Sequence, residues 1–89
     1  MGTYIAILHQ EPDGASFGVS FPDFPGCITA ADSIDDIRKM AHDVLAFHIK
    51  GMIEDGEPIP APSPPEHIIK SEDFDSSYAT LLVTVSFGA

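Results

Sequence analysis

The alternation of large apolar residues with small or polar ones divides this chain before anything else does. Residues 3–10, TYIAILHQ, are rich in β-branched and aromatic types, with Tyr4, Ala6 and Leu8 on one face and Ile5 and Ile7 on the other. Such a segment predicts a strand covered on both sides. EPDGAS then sets Pro12, Asp13 and Gly14 in a turn-forming order, so the chain should fold back as a hairpin. Phe17, Val19 and Phe21 alternate with Gly18 and Ser20, which gives a second strand with one large apolar face. From Pro22 to Gly26 two prolines interrupt any ladder and stiffen the backbone, so FPDFPG reads as a rigid corner. CITA resumes as a short third strand with Cys27 or Ile28 inward.

At Ser33 the period changes. Ser33 and Asp36 make a variant of the capping box, and Asp35 and Asp36 suit the positive end of a helix dipole, so a helix begins at Ile34. Ile37, Ala41, Val44, Leu45, His48 and Met52 recur in steps of three and four, a stripe that predicts one buried face, with Met40 and Phe47 widening it. Gly56 stands where a helix stops, and Pro58 prevents continuation. Residues 57–77 hold most of the prolines together with scattered acids and serines, and read as an extended connector in which HIIK (67–70) pairs briefly with something. YATLLVTVSF (78–87) places Ala79, Leu81, Val83, Val85 and Phe87 on one face and is the clearest strand in the chain.

The expected order is β-β-β-α-β, an α+β fold in which one main helix packs on a four-stranded mixed sheet. A right-handed crossover through the helix lays the last strand beside the first. The chain of 89 residues fits a single domain, 1–89. Ile5, Ile7 and Leu82 fall on the face away from the helix, which leads to the expectation of a homodimer or higher homo-oligomer.

Charge then narrows the partners. Four Lys and Arg stand against fourteen Asp and Glu, a formal net charge of -10. That field repels phosphate backbones, so direct DNA binding is not expected, while encounter with a basic protein is favoured. Cys27 is the sole cysteine, which fits a reducing compartment. No leader-like N-terminus and no run of about 18 apolar residues occurs, so the chain reads as soluble, cytoplasmic and without a membrane segment.

Candidate chemistry is thin. His9, His42, His48 and His67 lack a metal-ligand spacing, and His48 lies in the apolar stripe as a core histidine. A metal-dependent nuclease needs acids converging from the first strand, the helix and a later strand, yet TYIAILHQ and TLLVTVSF contain none. No phosphate-binding glycine loop and no nucleophile elbow is present. No catalytic residue, metal or cofactor is therefore expected, and the residues alone describe a small acidic binding module.

Residues 4–63 taken together resemble the HicB family of antitoxins. The resemblance rests on the aromatic-led first strand, the acidic glycine turn, the VSFPDFPG corner from Val19 to Gly26, the serine opening the helix, and DGEPIPAPS from Asp55 to Ser63. Ala31 stands where the family commonly has a glycine. The resemblance implies a partial ribonuclease H-like fold without catalytic acids, whose role is to bind and mask a HicA-like ribonuclease toxin, small and basic, that cleaves messenger RNA. Many members carry a DNA-binding segment after the last strand; this chain stops at Ala89, so autorepression does not carry over. The expected partner-binding residues are Asp23 and Phe24 at the corner with Asp32, Asp55 and Glu57. The alternative is an orphan HicB-like oligomeric module, regulatory or ligand-binding, without a toxin; a divergent nuclease is a third, disfavoured by the missing acids.

Overall fold

The computed structural model describes residues 2–12, 14–70 and 78–86. Four strands and two helices follow in the order β1 (Gly2–Gln10), β2 (Phe17–Ser20), β3 (Ile28–Ala31), α1 (Ile34–Glu54), α2 (Pro65–Ile69) and β4 (Ala79–Val85). The strands form one sheet of order β3-β2-β1-β4. As alternation predicts, Tyr4, Ala6, Leu8, Val19, Val83 and Val85 all point to one face, where Ile37, Ala41, Leu45 and Ile49 of α1 cover them. The fold is α+β with one main helix on a four-stranded sheet, and β4 lies beside β1 as expected.

The sheet is not mixed. All three pairings are antiparallel, with Leu8 opposite Ala79 and Gly2 opposite Val85. The reason lies in the connector. It passes Tyr4, whose hydroxyl donates to the Pro60 carbonyl at 2.6 Å, and then the corner, where Ser63 bonds to Asp23. After α2 the chain re-enters the sheet beside Leu8, where the Tyr78 N–H donates to the Leu8 carbonyl at 2.7 Å. A connection that first travels back along the sheet delivers β4 antiparallel to β1, so the helix is not the crossover of a parallel unit.

Local chemistry explains the boundaries. The hairpin closes through Glu11 N–H to Ser16 O and Gly14 N–H to Glu11 O, with Gly14 at φ 73°. At the start of α1 the Ser33 hydroxyl donates to the Asp36 carboxylate at 3.0 Å instead of accepting from the backbone, a departure from the expected capping box. At its end, Glu57 N–H bonds Met52 O and Gly56 N–H bonds Ile53 O around Gly56 at φ 74°, so the last carbonyls are satisfied by a Schellman motif.

Two expectations about side chains are corrected and one alternative is resolved. Met40 and Phe47 do not widen the buried stripe: Phe47 is 78% exposed, because it sits two residues from both Leu45 and Ile49 and at 100° per residue faces away from them. Ile49, two steps of four beyond Ala41, takes the core position instead. HIIK does not pair as a strand; Pro64 and Pro65 start α2 there, and its Ile68 is buried. Of the third-strand alternatives, Cys27 is the inward one and Ile28 is exposed. Phe87 lies outside the described residues.

Candidate functional site

The corner is built from two successive turns. Phe24 N–H donates to Phe21 O at 3.0 Å, and Cys27 N–H donates to Phe24 O at 2.9 Å, with Pro25 and then Gly26 at φ 87° in the central positions of the second. Proline fixes the first central φ and glycine alone accepts the second without strain. The first turn throws the Phe24 ring back over the sheet, where it meets Tyr4 edge-on at 4.8 Å and His48 at 5.9 Å. Phe24 is 1% exposed, so its place as a partner contact is corrected: it is a core residue.

Asp23 is engaged as well. Its carboxylate accepts the Ser63 backbone N–H at 2.9 Å and the Ser63 hydroxyl through its second oxygen. The connector is thereby clasped to the corner, and Asp23 is half-buried beneath it. Burial, with the Asp23 carboxylate second, pushes the Tyr4 phenol above its ordinary range and keeps it the donor that Pro60 O requires. Burial also pushes the Cys27 thiol up to about 11; its Sγ lies 3.9 Å from the Val44 carbonyl, an inert packing position.

The remaining expected residues do not form one site. Asp32 is exposed just before α1, whereas Asp55 and Glu57 are exposed just after it. The 21 residues of α1 separate them by about 30 Å along the helix at about 1.5 Å per residue. What is brought together, and was missed in the sequence, is a groove between β3 and the outer face of α1. Thr29, Asp36, Met40, Asp43, Val44 and Phe47 line it together with Lys39. Asp36, Met40, Asp43 and Phe47 follow at steps of four, three and four, so carboxylates and apolar side chains alternate along one helical edge. Lys39 is held by Asp43 at 2.6 Å, which lowers the Asp43 carboxyl below its usual range. The available signal was angular: Met40, Val44 and Phe47 make their own stripe, displaced from that of Ile37, Ala41, Leu45 and Ile49.

Among the described residues β1 and β4 contain no acid, and no group of three or more His, Cys, Asp or Glu comes together. The site presents instead an acidic and aromatic surface on a clasped scaffold. A family model described as the HicB-like antitoxin of bacterial toxin-antitoxin systems matches residues 4–88. The chain belongs to the HicB-like antitoxin family. An uncharacterised 14.9 kDa protein of Haemophilus phage HP1, from its rep-hol intergenic region, is 36% identical over 79 residues, covering 89% of this chain and 58% of that protein. Antitoxin HicB 1 of Photorhabdus laumondii is 38% identical over 61 residues, 68% of this chain and 39% of its own. The chain thus spans about half the length of these curated relatives.

Solved structures agree on the fold. The N-terminal domain of the Burkholderia pseudomallei antitoxin HicB is similar at a TM-score of 0.80 and 27% identity, over 96% of this chain and 99% of that domain. A chain of the HicA3 and HicB3 toxin-antitoxin complex is similar at 0.77 and 26% identity, over 94% and 98% of the two chains. Asp23 and Ser63 belong to the two segments that carry the resemblance, and here they bond to each other. Among the described residues no helix is long and apolar enough to cross a membrane.

Proposed function

We propose that residues 1–89 form one HicB-like domain, a partial ribonuclease H-like fold, that acts in the cytoplasm as an antitoxin. It binds a small basic HicA-type ribonuclease and masks its RNA-binding surface, with no turnover. The similarity over nearly the whole chain to a component of a toxin-antitoxin complex carries this reading. The net charge of -10 favours a cationic partner and disfavours direct contact with DNA.

The contact surface in this proposal is the α1–β3 groove. Phe47 offers an exposed aromatic anchor, and Asp36 with Asp43 supplies charges that steer and orient a basic partner. Asp32 lies near the same end of α1 and extends that acidic rim, while Asp55 and Glu57 lie outside it. The test is co-expression with a HicA-like reading frame from the same locus. Growth rescue and co-purification are expected, and Phe47→Ala combined with Met40→Ala should abolish both while leaving the fold intact, because neither side chain is in the core. Rescue without loss in the double variant would move the contact elsewhere. Absence of any co-purifying toxin would favour the orphan-module reading.

A further inference from the structure

β3 ends the order β3-β2-β1-β4, so among the described residues no strand pairs with its outer side. The direction of its backbone groups follows from the register. Leu8 accepts from the Tyr78 N–H, so its carbonyl faces β4. In an antiparallel strand the N–H and C=O of one residue point to the same side, and the side alternates, so Ile7 and His9 bond toward β2. Their partners Ser20 and Gly18 bond back to β1, whereas Phe17 and Val19 bond to Ala31 and Thr29. Ile28 and Ala30 are left with donor and acceptor turned outward.

A groove flanks this edge on each face of the sheet. On the helix face it is the α1–β3 groove, where Met40 and Phe47 alternate with Asp36 and Asp43. On the face away from the helix, a second groove runs from Ile28 and Ala30 over Gly18 to His9 and Glu11. Thr29 lines both, so they are two sides of one edge. The Glu11 carboxylate lies over Gly18: a Cβ there would stand 2.7 Å from Glu11 Oε1, which accounts for a glycine inside β2. Gly18 is opposite Ala30, and these two small residues leave a lane from the outer edge to that carboxylate. The ion pairs among the described residues, Lys39–Asp43 and His42–Asp43, leave Glu11 and Asp36 without a cation.

We infer that the basic partner adds an extended segment to β3 and sends its alternate side chains into the two grooves. The inference deepens the antitoxin reading and rests on it for the partner. Ile28 and Ala30 each offer one donor and one acceptor to the added strand, and the grooves select its side chains. Successive residues of that strand point to opposite faces. Those on the helix face meet Met40, Phe47 and the carboxylates of Asp36 and Asp43; those on the other face cross Ala30 and Gly18 toward Glu11. The segment that fits therefore carries apolar residues with a Lys or Arg on each face. A helix laid along α1 would fill only the first groove, because the second is on the far side of the sheet. A second copy of this chain is a poor occupant, since each copy carries a charge of -10 and the edge has acids on both sides. The four residues of β3, between the Pro25–Gly26 corner and Asp32, blunt the edge toward strands that lack this match.

The test uses the full chain co-expressed with the HicA-like reading frame of its locus. In the purified complex the Ile28 and Ala30 amides, followed by NMR, should exchange hydrogen at least about tenfold more slowly than in the free chain. Those of Thr29 and Ala31, already bonded to β2, should change little. Ala30→Pro removes only an outward N–H and should abolish co-purification with an unchanged circular dichroism spectrum. Ala30→Lys, which sets a like charge in the lane of a basic strand, gives the same loss should the proline variant not fold. Glu11→Gln should weaken binding by about two- to fivefold, an effect that a helix seated on α1 would not produce. A complex that survives Ala30→Pro, that ignores Glu11→Gln, or in which the Ile28 and Ala30 amides exchange as in the free chain overturns the inference and leaves the antitoxin reading standing. Where no complex forms, the antitoxin reading fails and the inference falls with it.

Discussion

Replacing Asp23 by Ala removes the acceptor that ties the connector to the corner. Two bonds are lost, from the Ser63 N–H and from its hydroxyl, and the N–H is left beneath a half-buried site. Hydrogen bonds to a charged group contribute about 1.5–3 kcal/mol, but Asp23 is half-buried rather than sealed from water, and solvent replaces part of what is lost. We therefore expect a cost of about 1–2 kcal/mol for the pair. At about 4–8 °C per kcal/mol for a domain of this size, the Tm should fall by roughly 5–15 °C. Asp23→Asn keeps an acceptor for the N–H and, with the hydroxyl rotated, a donor to Ser63 Oγ, so it should lose about half as much. Urea denaturation supplies a double-mutant cycle: in a Ser63→Ala background only the N–H bond remains, and Asp23→Ala should cost less there by about 1 kcal/mol. A cost below about 0.5 kcal/mol that is indifferent to residue 63 would refute the clasp. Loss of toxin binding at unchanged Tm would return Asp23 to the contact surface.

Phe24→Ala should destabilise by about 3–5 kcal/mol, a large share of the stability of a domain this size, read by urea denaturation. Gly26→Ala meets no neighbouring atom and so carries only the backbone penalty at φ 87°, about 1 kcal/mol by the same method. Cys27 should resist a thiol reagent at neutral pH in the folded chain and react at once in denaturant. Its folded pKa of about 11 lies above the ordinary 9.0, so this group's contribution to stability is complete below pH 9 and is lost as pH rises toward 11, which an alkaline unfolding series will show.

Period and punctuation made most of the fold legible. Alternation located all four strands, and Ser33 and Gly56 marked the ends of α1 to within two residues. What periodicity misjudged were residues near the border of a stripe. Met40 and Phe47 are apolar and lie within three residues of core positions, so counting steps of three and four admits them, whereas the helical angle from Leu45 excludes Phe47. Strand direction was not legible for a different reason. It depends on the path of the 24 residues between α1 and β4 that have no period, held by tertiary bonds from Tyr4 and Asp23 that no local pattern encodes.

The same tertiary bonds explain why the corner misled the search for a site. An aspartate and a phenylalanine at the tip of a proline-stiffened turn have the composition of a binding loop, and loops carry function more often than cores do. Here the first turn folds Phe24 inward, the second, set by Pro25 and Gly26, leads the chain on to β3, and the connector closes over the corner. FPDFPG and DGEPIPAPS are then two halves of one structural device: the first supplies the carboxylate and the ring, the second the serine and the Pro60 carbonyl that hold the returning chain against β1. Asp55 and Glu57 stay exposed at the start of the second segment, whereas the exposed aromatic anchor Phe47 stands on the outer face of α1, outside both diagnostic segments. A contact map of the toxin complex that centred on the corner would contradict this division, since Phe24 reaches a partner only if the clasp opens.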